Sequence, residues 1–127
     1  MTFLTLPPLS NTFAIFGAGF KVNSLAMISW LAHCSILYWG DLDTHGFQIL
    51  SQLRTIFPHV VSVMMDEATL ATFKEFWVTS TPSSLPYPLH LTQEEKTLFT
   101  YVTQENIRLE QERISYGYAV ERIRESL

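Results

Sequence analysis

The sequence predicts a small α/β domain: a parallel sheet with helices on both faces and a helical C-terminal tail. Three observations carry that prediction. Short apolar, β-branched or aromatic runs alternate with segments whose apolar residues recur at helical spacing. The run Ser35–Trp39 is apolar on both faces, as a strand in the middle of a covered parallel sheet must be. The length, 127 residues, suits one domain spanning 1–127. Alternating strands and helices imply right-handed crossovers between parallel neighbours.

Residues 1–11 carry Pro7 and Pro8 and read as an extended lead-in, because proline lacks an amide donor and restricts the residue before it. Thr12–Phe16 is β-branched and aromatic and ends at Gly17-Ala18-Gly19, which predicts a buried strand and a turn. From Val22 onward Leu25, Ile28, Trp30, Leu31 and Ala32 follow helical spacing, with Asn23 or Ser24 as N-cap. Ser35–Trp39 is the second strand and stops at Gly40. Phe47, Ile49, Leu50, Leu53 and Ile56 then predict a helix ending before Pro58. Val60–Met65 is predicted as a third strand, ending at Asp66, and Ala68–Val78 as the next helix. Residues 79–91, with Pro82, Pro86 and Pro88, predict a loop. Thr92 with Glu95 three residues on is a capping-box signature. The polar tail from Gln104, 104–127, is expected to be helical and charged, with a break near Gly117.

Composition narrows the function classes. Eight Lys plus Arg against twelve Asp plus Glu give a formal charge of −4, which excludes a basic nucleic-acid binder working by bulk charge alone. Hydrophobic content of 47% with 16% charged residues excludes a disordered chain. The single cysteine, Cys34, excludes an intramolecular disulfide framework and a cysteine-cluster zinc site. The longest apolar stretch, Leu25–Trp39, is shorter than the ~20 residues a membrane span needs. The N-terminus lacks the basic start of a signal peptide. The expectation is a cytoplasmic protein without membrane association.

Open parallel sheets bind ligands beyond the carboxyl ends of their strands. Asp41 and Asp43 lie there, on the turn Gly40-Asp41-Leu42-Asp43-Thr44-His45-Gly46 that leaves the second strand. Two carboxylates one residue apart repel each other unless a cation or an arginine compensates them. Mg²⁺ is a hard ion that takes oxygen ligands and keeps several waters, so such a strand end suits it. An aspartate between strand and helix is equally a common N-cap, and Asp66 reads as one. His45 neighbours the carboxylates on a turn open to solvent. Gly17-Ala18-Gly19 lacks the residues of a dinucleotide fingerprint or P-loop and reads as a turn. Arg108, Glu110, Glu112 and Arg113 form a dense cluster, mostly solvated if helical. The sequence assigns no catalytic or metal-binding role to Asp66, His45, Glu110 or Glu112.

Tyr38-Trp39-Gly40-Asp41-Leu42-Asp43-Thr44-His45-Gly46-Phe47-Gln48-Ile49-Leu50, followed by Leu53-Arg54, resembles the C-terminal Toprim-like domain of the Wadjet plasmid-defence nuclease subunit JetD, itself related to the Toprim domains of topoisomerase VI. Gly17-Ala18-Gly19-Phe20 and Arg108-Leu109-Glu110-Gln111-Glu112-Arg113-Ile114 are similar to the same family. The resemblance implies a Mg²⁺- or Mn²⁺-dependent bacterial DNA endonuclease domain. Its full-length subunit contacts DNA and works with a condensin-like ATPase complex. It implies Asp41 and Asp43 as metal ligands and catalytic residues, the metal stabilising charge on the scissile phosphate or leaving oxygen. The family's site also uses a glutamate from a preceding strand. No residue from Met1 to Asn11 is acidic, so that strand and its glutamate are expected to be missing and the isolated chain inactive or very weak. An incomplete sheet would leave a strand edge open, which predicts a homodimer. Two other readings remain: a non-catalytic interaction domain with a structural acidic turn, and a phosphotransferase of the haloacid-dehalogenase kind, for which Lys74 and Asp66 are the nearest accessory residues.

Overall fold

The computed structural model describes residues 2–4, 12–16, 33–80 and 87–126. A four-stranded sheet runs in the order β1 (Thr2–Leu4), β2 (Thr12–Phe16), β3 (Ser35–Trp39), β4 (Val61–Ser62). β2, β3 and β4 are parallel, with Ile15 opposite Tyr38 and Leu37 opposite Val61. β1 is antiparallel to β2, pairing Phe3 with Ile15. The expected small α/β domain with a parallel sheet is therefore present. The expected strands at Thr12–Phe16 and Ser35–Trp39 have the observed bounds. The lead-in differs. Thr2–Leu4 is itself a strand and covers the β2 edge that the sequence leaves open, so the outer edges of this sheet among the described residues are those of β1 and β4. The expected helix from Val22, the turn Gly17-Ala18-Gly19 and Trp30 lie outside the described residues.

β3 is the centre of the core because Ile36, Leu37 and Tyr38 are all buried and each faces a covered side of the sheet. Helix α1 (Thr44–Ile56) follows and buries Phe47, Ile49, Leu50 and Leu53 along one stripe. It stops at Phe57, whose N–H donates to Leu53 O at 2.7 Å. Pro58 cannot extend it, having no amide donor. Phe47 meets Phe99 of helix α3 (Gln93–Gln104) edge to face, with centroids 6.3 Å apart.

Three further segments depart from expectation, each for a physical reason. The third strand is only Val61–Ser62. Val63 N–H still donates to Tyr38 O at 2.8 Å, but Met64 has φ 62, and this left-handed residue turns the chain out of the sheet. Val63, Met64 and Met65 are nevertheless buried, which is why the run reads as a strand. The helix expected over Ala68–Val78 is a short α2 (Glu67–Thr72), a 3-10 turn (Lys74–Phe76) and then β5 (Val78–Thr79). The aromatic and β-branched residues of 73–79 favour extended backbone. Phe73 and Trp77 also anchor outside the helix: Phe73 stacks edge to face on Tyr118, and Trp77 Nε1–H donates to Leu70 O at 3.0 Å.

The tail is not one helix. α3 closes at Glu105, and Asn106 takes the left-handed φ of 52 that asparagine tolerates. The chain then enters β6 (Ile107–Arg108), antiparallel to β5, and a 3-10 turn (Gln111–Arg113). Helix α4 (Tyr116–Glu125) follows, capped by Ser115. Gly117 sits inside its first turn rather than breaking it. The loop expected over 79–91 is described only in part. Its end is fixed to α1, where His90 N–H donates to Ser51 Oγ at 3.0 Å. No helix among the described residues is long and apolar enough to cross a membrane.

Candidate functional site

The site forms where β3 ends. Gly40 and the turn after it bring Asp41 and Asp43 together, with both side chains buried. Asp43 is the N-cap of α1: its backbone is extended, and Oδ1 accepts from Gly46 N–H at 2.7 Å. Two glycines make the turn this tight. A Cβ on Gly40 would sit 2.2 Å from the Tyr38 hydroxyl, and one on Gly46 would sit 2.0 Å from the carbonyl oxygen of Asp41. Tyr38 lies beneath the turn and its hydroxyl donates to Gly46 O at 3.1 Å. Burial, then the charges of Asp43 and Asp41, push that phenol far above its ordinary range, so it remains a neutral donor.

The second half of the site comes from the far end of the chain. Leu42 and Leu109 form an antiparallel bridge, Leu42 N–H donating to Leu109 O at 2.9 Å and Leu109 N–H to Leu42 O at 3.1 Å. This clamps Arg108 beside the acidic pair. Arg108 Nη2 donates to Asp41 Oδ2 at 3.2 Å, and Nε lies 3.4 Å from Asp43 Oδ2. The backbone N–H of Gln111 donates to Asp41 Oδ1 at 2.8 Å. Each carboxylate oxygen thus faces a protein donor, and the repulsion inherent in the pair is compensated by an arginine.

Compensation is incomplete at Asp43. Burial raises its carboxyl above the ordinary 3.8; the Gly46 N–H lowers it, Asp41 raises it further, and Arg108 and His45 lower it by smaller amounts. Burial works against the charge of Arg108, but Asp43 and Asp41 together outweigh it and hold the guanidinium above its ordinary range. The Asp43 shift has a stability consequence. A folded carboxyl that titrates above its unfolded value makes the native state bind more protons, so this group costs stability as pH rises from about 4 through the folded pKa. Asp43→Asn keeps a good N-cap acceptor and removes the buried charge. The expected melting temperature at pH 7 is at or above that of the wild type, while at pH 3 the two converge. A drop of several degrees at pH 7 would show that the Arg108 ion pair outweighs the burial of the charge.

The other sequence candidates lie elsewhere. Asp66 is the N-cap of α2, accepting from Thr69 N–H at 2.9 Å, and its second oxygen pairs with Arg122. Lys74 lies over the ring of Trp77, 5.7 Å from its centroid. Neither joins the Asp41–Asp43 pair among the described contacts, so the accessory residues of a phosphotransferase are not assembled there. His45 is half-buried in the first turn of α1. Glu110 precedes the 3-10 turn, and Glu112 is exposed. Among the described residues no three His, Cys, Asp or Glu side chains gather as a metal-ligand group. Two residues escape sequence reasoning. Arg108, expected to be mostly solvated on a helix, is the cation of the site; the repulsion between Asp41 and Asp43 requires such a partner, but nothing local says which. Arg54, which stands out in the sequence only as the end of a motif, forms the main buried ion pair with Glu95, at 2.5 Å.

The fold and this strand end define a class: a small α/β domain whose central parallel strand delivers paired, buried carboxylates to a turn before a helix. A family model described as Wadjet protein JetD, C-terminal, matches residues 1–123, and the chain belongs to that family. No curated protein gives a significant match.

Proposed function

We propose that the chain is the Toprim-like metal-binding domain of a plasmid-defence DNA nuclease subunit, with Asp41 and Asp43 as its metal ligands. The observation that carries the reading is the pair itself: two buried carboxylates at a parallel strand end, in a chain of the JetD C-terminal family. The donor set fits a hard divalent cation. All four side-chain acceptors are carboxylate oxygens, and an oxygen holding one N–H donor keeps a second lone pair. Mg²⁺ commonly takes one or two carboxylates and completes its shell with water and substrate phosphate. Asp41 and Asp43 would hold Mg²⁺ or Mn²⁺, which when bound supplies positive charge at the phosphate being cleaved. The protein's own contribution is positional. Gly46 N–H and Gln111 N–H fix one oxygen of each carboxylate, and the Leu42–Leu109 bridge fixes the turn. With a formal charge of −4 the chain does not attract phosphate by its net charge, so most phosphate contacts would come from other domains or from a condensin-like ATPase partner.

A second reading is favoured by one specific observation: Arg108, Gln111 and Gly46 already satisfy the pair, as they would in a non-catalytic interaction domain with a structural acidic turn. Calorimetric titration with Mn²⁺ separates the two. The metal-site reading expects saturable binding that Asp41→Asn or Asp43→Asn weakens at least about tenfold, since each removes one charged oxygen ligand. Affinity indifferent to both substitutions would leave the acidic turn structural. With the β2 edge covered, a homodimer made by pairing the edges of this sheet would use the short β1 or β4 edge, and light scattering of the chain tests for a dimer directly.

A further inference from the structure

Arg108 stands out once Asp41 and Asp43 are read as metal ligands, and the role assigned to it rests on that reading. Its guanidinium spans both carboxylates, yet its grip on each is loose. The contact to Asp41 is a single hydrogen bond of 3.2 Å, and the 3.4 Å contact to Asp43 leaves Nε buried without a hydrogen-bond partner. A well-formed arginine–carboxylate pair is shorter and bidentate, as Arg54 and Glu95 show in the same molecule with contacts of 2.5 and 3.1 Å. Exposure separates the partners as well. The Arg108 side chain is 36% exposed, against 10% and 8% for Asp41 and Asp43, so the cation is the solvent-facing member of the cluster. Its backbone is fixed by β5 on one side and by the Leu42–Leu109 bridge on the other, whereas its side chain has a path into water.

We propose that Arg108 is a displaceable counterion. It neutralises the Asp41–Asp43 pair while no divalent cation is bound, competes with that cation for Asp41 Oδ2 and Asp43 Oδ2, and moves out as the cation enters. The arrangement resolves an electrostatic problem set by the turn. A bare buried pair would be expensive to hold together, and a permanently bidentate arginine would block the oxygens that a metal needs. A loosely held guanidinium does neither, and it sets a threshold on the cation concentration at which the site fills.

Mn²⁺ titration calorimetry on the wild-type chain, Arg108→Gln and the double variant D41N/D43N tests this, with circular dichroism confirming the fold of each. The expected result is at least about tenfold tighter Mn²⁺ binding by Arg108→Gln than by wild type, because a competing unit charge within 4 Å is gone. D41N/D43N should not bind measurably. Equal or weaker binding by Arg108→Gln, with D41N/D43N silent, overturns the counterion role and leaves the metal site standing. Wild type and Arg108→Gln binding no better than D41N/D43N overturns both. A measurement on the unaltered protein covers a variant that does not fold. The Arg108 Nε–H resonance should shift, and its exchange with water should quicken, as Mg²⁺ is added; an unchanged signal at saturating Mg²⁺ overturns the proposal.

Discussion

Gly46→Ala is expected to destabilise the domain by about 3 kcal/mol or more, the upper end of overpacking effects. The added methyl would meet the Asp41 carbonyl oxygen at 2.0 Å and Asp43 Oδ1 at 3.2 Å. The first atom belongs to backbone, so no rotamer change relieves the clash. The peptide it belongs to is tied in turn to Leu42, whose N–H and C=O are both engaged by Leu109. Opening the turn therefore strains the cap of α1 and the bridge to the C-terminal segment together. Thermal unfolding measures the loss. Gly117→Ala is the matched control: nothing lies within 4 Å of a Cβ there, and alanine in an exposed helical turn is expected to be neutral or to gain about 0.5–1 kcal/mol. A Gly46→Ala protein that melts with the wild type would refute the close approach between α1 and the acidic turn.

Glu95→Ala is expected to cost about 3–5 kcal/mol, because it leaves a buried guanidinium unpaired. Arg54 is 11% exposed and Glu95 6%. Arg54 reaches from α1 to Glu95 with two nitrogens and also donates to Val60 O and His90 O, each at 3.0 Å. Glu95 in turn accepts from Ser62 Oγ at 2.5 Å and closes the capping box with Thr92 N–H at 2.8 Å. One carboxylate thus joins α1, β4 and the start of α3. Burial alone would raise its pKa, but Arg54, Ser62 and the Thr92 N–H together hold it below the ordinary 4.5. The folded state then binds fewer protons than the unfolded chain between those two values. The contribution is complete above the unfolded pKa and disappears as pH falls through the folded one. Wild-type stability measured from pH 6 to pH 2 should show this acid loss, and Glu95→Gln, which keeps the shape and loses the charge, should flatten it. An equally steep acid limb in Glu95→Gln would assign the loss to other carboxylates.

These two residues also show where sequence reading succeeds and stops. Thr92 and Glu95 are legible as a capping box because that signal spans three residues. Thr12–Phe16 and Ser35–Trp39 are legible because a continuous apolar run in this alternating context admits few alternatives. Asp41 and Asp43 are legible as a pair because one intervening residue on a turn after a strand already brings their charges close. Their counterion is not, since Arg108 arrives through a bridge 67 residues away in the chain and helical spacing offers a plausible solvated home for it. The same limit applies at Met64, where a buried apolar run hides a left-handed residue that ends the strand. It applies again at 73–79, where bulky apolar residues at helix-compatible spacing are held by Tyr118 and Leu70 in another geometry. Local patterns are decided by neighbours a few residues off; the misread positions are decided by partners on other elements.

The bridge between Leu42 and Leu109 has a consequence for biosynthesis. A ribosome makes the acidic turn well before it makes the arginine that neutralises it, so every nascent chain passes through a stage in which Asp41 and Asp43 exist without Arg108. During that interval burying the turn is opposed by two uncompensated charges, and the central strand has reason to wait for the segment that carries Arg108 before it closes.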